Sequence, residues 1–226
     1  SAHWVVWWVH SLMVCGCFAM IPFTRLLHFI TGPANLFFST PSLGQLKPIS
    51  IEEVEETGVV GVSEIAHLDQ QQLLSLDSCM ECGRCDDACP AFASGKPLSP
   101  TAVVQDVKGL MQSTANGESV GLHGDTIQAE TVWACTSCNA CVTACPVRVD
   151  PLGLLFDLRR DRAAEGSLAG SAANSMRQMQ TNGNPWGFPQ AERLAWADGL
   201  DVPLASDHPD FEILWWVGCA GSFDRR

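Results

Sequence analysis

Cys79-Met80-Glu81-Cys82-Gly83-Arg84-Cys85-Asp86-Asp87-Ala88-Cys89-Pro90 has a twin further along the chain, Cys135-Thr136-Ser137-Cys138-Asn139-Ala140-Cys141-Val142-Thr143-Ala144-Cys145-Pro146. Both runs space their cysteines as C-x-x-C-x-x-C-x-x-x-C-P. Two-residue gaps let three successive thiolates turn toward one centre. The fourth, carried by the helix that follows, points away and serves the neighbouring centre. The proline after it fixes the chain direction there. This spacing assigns Cys79, Cys82, Cys85 and Cys145 to one [4Fe–4S] cluster, and Cys135, Cys138, Cys141 and Cys89 to a second. Zinc is the competing metal, but zinc sites rarely use a three-plus-one pattern.

Around the runs the chain repeats itself: helix, cysteines, helix, cysteines, helix. Asp69 is a candidate N-cap with Gln72 completing a capping box, and the helix it opens delivers the chain to Cys79. Ser99-Pro100 starts a second helix carrying Val103, Val104, Val107, Leu110 and Met111 at helical spacing. A short helix is expected over 126–133. Pro151 opens another, carrying Leu154, Leu155 and Leu158, with arginines toward its end. The long gap between the runs predicts an α-helical ferredoxin module over 67–165 rather than a compact bacterial ferredoxin.

The chain has 226 residues, 11 cysteines, no tyrosine and a formal charge of −12. That acidity excludes a nucleic-acid binder, which needs a basic stripe. Eight cysteines in two tight runs read as metal ligation in a reducing compartment rather than as a disulfide framework. Cys15, Cys17 and Cys219 stand outside the runs. Cys15 and Cys17 read as small packing residues, and His3, His67, His123 and His208 as solvated or capping. The first residue is not Met, and the chain reads as a fragment of a longer protein.

From Trp4 to Ile30 the chain is apolar, and its ionisable groups up to Thr24, thiols aside, are His3 and His10. A stretch of about 20 such residues crosses a bilayer. Trp4, Trp7 and Trp8 suit one interface, and Arg25 and Lys47 place the C-terminal side in the cytoplasm. On one continuous helix His10 and His28 lie five turns apart on a single face, about 27 Å along the axis. Both are candidate axial haem ligands, with membrane filler as the alternative. Pro22 is expected to kink this helix. Residues 39–66 read as a linker with a solvated acidic patch, 166–210 as a connecting segment on the surface, and 211–218 as a strand.

Pro22-Phe-Thr-Arg-Leu-Leu-His28, with His10 before it, resembles the last haem-ligating helix of the gamma subunit of respiratory nitrate reductase. That resemblance implies that His10 and His28 each bind a different haem b. Asp77-Ser-Cys-Met-Glu-Cys-Gly-Arg-Cys85, Gly95-Lys-Pro-Leu-Ser-Pro100 and Trp133-Ala-Cys-Thr-Ser-Cys-Asn-Ala-Cys141 resemble iron–sulfur subunits related to heterodisulfide reductase. Trp216-Val-Gly-Cys-Ala-Gly221 resembles the entry to their cysteine-rich CCG domain, which implies a role for Cys219 in a further cluster. The combination is similar to membrane-bound electron-transfer-flavoprotein:menaquinone oxidoreductases. It implies a mainly α chain: one transmembrane helix over 1–38, two [4Fe–4S] clusters, and the start of an α/β CCG domain at 211–226. It also implies a soluble flavoprotein donor, a quinone acceptor and the cytoplasmic membrane. Two other readings stay open, a thiol–disulfide enzyme resembling heterodisulfide reductase and an electron-transfer subunit serving a glycerol-phosphate or lactate dehydrogenase.

Overall fold

The computed structural model describes residues 2–39, 46–114, 121–124, 126–168 and 170–224. It is helical, and among the described residues the β pairing is confined to two isolated bridges, Glu64 with Gly121 and His123 with Ile127. The chain divides into two units, residues 1–165 and 166–226.

The first unit begins with α1, Ala2–Met20, none of whose residues is buried. The stretch Ala2–Phe23 is long and apolar enough to cross a membrane. The expected single helix to His28 does not form. Pro22 sits in the first turn of a 3-10 segment, Ile21–Phe23, and Thr24 then turns extended, with φ −130° and ψ 171°. Proline lacks the N–H that would continue the ladder and its ring crowds the preceding turn, so the helix ends here. A second 3-10 turn, Arg25–Leu27, leads into α2, His28–Phe38. The five-turn register between His10 and His28 therefore does not hold.

The helix α2 packs on the cysteine-bearing elements through Thr31, Gly32 and Asn35, its buried residues. Thr31 Oγ1 donates to the Asp77 carbonyl at 3.2 Å. The Asn35 amide donates to the Val147 carbonyl at 2.7 Å and to that of Arg148 at 3.2 Å, and accepts from Gln71. Gly32 allows the close approach, since a Cβ there would sit 3.1 Å from Val147 Cγ1.

The acidic patch forms α3, Ile51–Thr57, capped by Ser50. Next comes α4, Gln70–Ser78, opened by the predicted Asp69 capping box. Short helices α5, Arg84–Asp87, and α6, Pro90–Ala93, carry the end of the first run. Then follow α7, Pro100–Thr114, α8, Ala129–Ala134, α9, Ala140–Ala144, and α10, Pro151–Ala164. The core lies between α7 and α10: Val103, Val104 and Val107 meet a cluster that includes Leu154, Leu155 and Leu158, all nearly inaccessible. Burying each such side chain is worth about 1.5–3 kcal/mol. His123 is not solvated as expected: its Nε2 lies 2.8 Å from Asp161 Oδ2, and its Nδ1 accepts from Arg162.

The second unit holds α11, Gly170–Asn182, a 3-10 segment, Gln190–Ala197, and α12, Cys219–Phe223. The sequence offered no sign of α11, whose Gly, Ser and Asn content reads as loop. Buried Asn184 knits the following turn, donating to the carbonyls of Asn182 and Phe188. The expected strand over 211–218 does not form. Those residues run extended with no partner strand among the described residues, and Trp215 and Trp216 are exposed. A run of β-branched and aromatic residues favours extended backbone, but a strand needs a neighbour's hydrogen bonds to become a sheet.

Candidate iron–sulfur centre

Each cysteine run is entered from a helix end. Cys79 caps the C-terminus of α4 at φ −72° and ψ 124°, and Cys135 caps α8 at φ −67° and ψ 126°. Two residues later come Glu81 and Ser137, at φ 58° and 59°. Two further on come Gly83 and Asn139, at φ 76° and 63°, which open α5 and α9. The fourth cysteines match as well: Cys89 has φ −82° and ψ 117°, Cys145 φ −80° and ψ 118°. Left-handed residues alternating with ordinary ones turn successive amides inward, a concavity that suits an anionic group. Three of these four left-handed residues are not glycine, and such conformations persist where the surroundings over-determine them, often at functional sites.

The amides already address sulfur. Ser137 N donates to Cys135 Sγ at 3.4 Å, Phe92 N to Cys89 Sγ at 3.5 Å and Val149 N to Cys145 Sγ at 3.3 Å. Side chains add to them, with Thr101 Oγ1 3.0 Å from Cys85 Sγ. Asp86, inside the first run, accepts from the Thr101 amide and the Ser99 hydroxyl, which ties α5 to the start of α7.

Cys79, Cys82 and Cys85 line one cavity with Cys145, the partner that spacing assigns to them across the chain. Cys141 lines it too, which puts the second run's third thiol against the first set. The remaining walls include Val104, Val147, Val149 and Pro151. Cys89, Cys135 and Cys138 do not line this cavity, so for the second set the argument rests on its repeated backbone. Among the described residues no three His, Cys, Asp or Glu side chains stand close enough to hold a single ion. A cubane presents four separate irons to four thiolates, which spread accordingly.

Burial pushes the thiols of Cys79 and Cys85 up, and that of Cys141 to about 12. The Ala140 amide lowers exposed Cys138. A thiol held protonated by burial releases its proton on binding a metal.

Two cations brace the runs: Lys108, which sequence reading passed over, and Arg159, which it read as suiting the helix dipole. Lys108 Nζ donates to the carbonyls of Asp77, at 3.3 Å, and Cys79, at 3.4 Å. Arg159 donates to the carbonyl of Cys135 at 2.6 Å, to that of Val132 and to Ser137 Oγ. Its guanidinium also lies over Trp133 and Phe156, 5.3 and 5.7 Å from the ring centroids. The available signal for Lys108 was a lone cation beside an apolar helix stripe; Arg159 is one of three arginines near the end of α10, and nothing local singles it out. Cys79, Cys82, Cys85 and Cys145 in one mainly apolar cavity, with Cys141 on its wall, amides aimed at sulfur and a cation at each run's entrance fit an anionic iron–sulfur cluster.

His10 is exposed on α1. His28 begins α2, with Nδ1 2.6 Å from the Arg25 carbonyl and its ring stacked on Phe29. In the second unit, Cys219 Sγ lies 3.7 Å from an Arg193 nitrogen and 3.8 Å from the Gly183 carbonyl.

Comparison with known proteins agrees with this geometry. Residues 75–149 match the 4Fe-4S dicluster domain family. The chain is 32% identical to a probable iron-sulfur-binding oxidoreductase, FadF, of Bacillus subtilis, over 99% of this chain and 38% of the relative. It is 32% identical to the EtfAB:quinone oxidoreductase of Syntrophomonas wolfei, over 99% of this chain and 36% of the relative. A probable membrane-anchored ferredoxin of Chromohalobacter salexigens is 37% identical, over 80% of this chain and 30% of the relative. The chain thus spans about a third of the length of these relatives, between 30% and 38%. It is an iron–sulfur protein related to these oxidoreductases.

Proposed function

We propose that this chain is the electron-conducting segment of a membrane-bound oxidoreductase, carrying electrons from a soluble flavoprotein to the quinone pool. The observation that carries the reading is the cavity in which Cys145 meets Cys79, Cys82 and Cys85. Cys135, Cys138, Cys141 and Cys89 hold a second cluster beside it, with Cys141 forming the shared wall. When bound, two [4Fe–4S] clusters supply one-electron storage at adjacent sites. The residues supply thiolates, amide donors and the cations Lys108 and Arg159, which favour the extra negative charge of the reduced state. No side chain here needs to move a proton or form a bond to substrate.

In this reading α1 crosses the cytoplasmic membrane with the cysteine-bearing unit on the cytoplasmic side, and His10 and His28 bind b haems with ligands from elsewhere in the full protein. The separate helices of His10 and His28 free each to serve its own haem. Cys219 is a candidate ligand of a further centre in a CCG domain. The names of the quinone oxidoreductase and the membrane-anchored ferredoxin support the flavoprotein, quinone and membrane parts of the reading.

The test is made on the full-length protein. It should hold about eight iron and eight acid-labile sulfide, the content of two cubanes, and should reduce a quinone with reduced flavoprotein. Stoichiometric zinc, or cluster-loaded protein that takes no electrons from a flavoprotein, sinks the proposal.

A further inference from the structure

The helix α2 acts as a ruler between α1 and the two cysteine runs. At its start, Arg25, in the turn that joins α1 to α2, pairs with Glu81 at 3.3 Å. Glu81 lies between Cys79 and Cys82. One turn on, Thr31 bonds the carbonyl of Asp77, two residues before Cys79. Gly32 and Asn35 meet Val147 and Arg148, two and three residues after Cys145. The contacts nearest α1 therefore belong to the loops of one thiol set, Cys79, Cys82, Cys85 and Cys145. At the other end of α2, about 15 Å away, Phe38 and Ser39 line a cavity with Ser137, Asn139 and Val142 of the second run. His28 stands at the near end, its Nδ1 on the Arg25 carbonyl.

We infer that the cluster held by Cys79, Cys82, Cys85 and Cys145 is the membrane-side cluster, and that α2, through Arg25, Thr31 and Asn35, holds it there. This rests on the two-cluster, membrane-bound reading above. Electrons enter at the cluster of Cys135, Cys138, Cys141 and Cys89 and leave from the other. One electron passes from the reduced outer cluster to the oxidised inner one, and no bond is made or broken. The reductant is the soluble flavoprotein of the proposed function. The exit edge is the Glu81–Arg25–His28 contact, where a hydrogen bond and an ion pair link the first run to the turn beneath α1.

The full-length protein in phosphatidylcholine vesicles, with a fraction of the lipid headgroups carrying a gadolinium chelate, tests this by power-saturation EPR of the reduced clusters. In Cys138→Ser the intact signal belongs to the inner cluster and should relax markedly faster with the chelate present. In Cys145→Ser the intact signal belongs to the outer cluster and should respond weakly. Equal or reversed enhancements overturn the order. Glu81→Gln keeps all eight thiols and covers the case in which either serine variant loses both clusters. It should raise the midpoint potential of the wild-type signal that responds more strongly to gadolinium, and a shift confined to the other signal overturns the assignment. Protein that lacks iron, or does not partition into vesicles, instead overturns the function proposed above.

Discussion

Glu81 and Ser137, the third residues of their cysteine runs, hold the same left-handed backbone conformation, φ 58° and φ 59°. Ser137 N donates to Cys135 Sγ at 3.4 Å, and the Glu81 amide favours the Cys79 thiolate against the burial that pushes that thiol up. The duplication visible in the cysteine spacing thus extends to the backbone between the cysteines, where residue types differ and no repeat can be read.

Asn139 occupies the position of Gly83 in the other run. Asn139→Gly should be tolerated, with iron content and melting temperature close to the parent. Asn139→Val forces a β-branched residue into positive φ and should cost about 1–2 kcal/mol and lower iron content. Denaturant unfolding with iron analysis of both variants checks this. Equal stability of the two would show that the backbone is free to relax.

Lys108 and Arg159 each bond the carbonyl of the first cysteine of a run. Lys108→Met should lower the midpoint potential of the cluster bound by Cys79, and Arg159→Met that of the cluster bound by Cys135, since each removes a cation that favours the reduced state. Redox titration followed by EPR separates the two. Arg159→Lys should restore little, because a lysine lacks the planar fork that bridges Val132, Cys135 and Ser137.

Asn35 is fully buried and bonds Val147, Arg148 and Gln71. Asn35→Leu leaves buried carbonyls unpaired and should cost about 1–3 kcal/mol. Hydrogen exchange should quicken over residues 28–38 and 147–149, while α7 keeps its protection.

Asp69 titrates low: burial opposes its charge, but the Gln72 amide and the Lys47 ammonium outweigh burial. Its folded value lies below the ordinary 3.8. The stability it contributes is therefore present above that value and is lost as pH falls through the lower folded one. Asp69→Ala should cost about 0.5–2 kcal/mol near neutral pH through the lost cap, with a shallower acid limb in urea unfolding between pH 6 and 2.

Gly61 stands at φ 83°, where a Cβ would fall 2.2 Å from the Asp157 carbonyl oxygen. Gly61→Ala should destabilise by about 2–3 kcal/mol, read as a lower urea midpoint. An unchanged midpoint would mean that the 60–62 segment does not seat on α10.

How much of this was legible depended on range along the chain. The eight cysteines, the Asp69 capping box and the proline-led starts of α7 and α10 are signals carried within a few residues, and the structure places each helix start as expected. The apolar stretch of α1 was equally plain. The three-plus-one spacing led to the expectation that Cys145 joins the first run, and Cys145 does line one cavity with Cys79, Cys82 and Cys85, as does Cys141. Pro22 pointed to a kink, but how far it would part His10 from His28 depended on what α2 could dock against.

The sequence alone determined that eight cysteines stand in two equivalent runs and that an apolar helix precedes them, because cysteine spacing, helix caps and hydropathy act through neighbours along the chain. Only the tertiary structure decided that α2 leaves the line of α1 and seats on the first run and Val147, that Lys108 and Arg159 cap the two entrances, and that His123 pairs with Asp161. Those outcomes join residues far apart in the chain, such as Asn35 and Val147. No local pattern encodes such partners; they are chosen when buried polar groups must find hydrogen bonds inside a packed core.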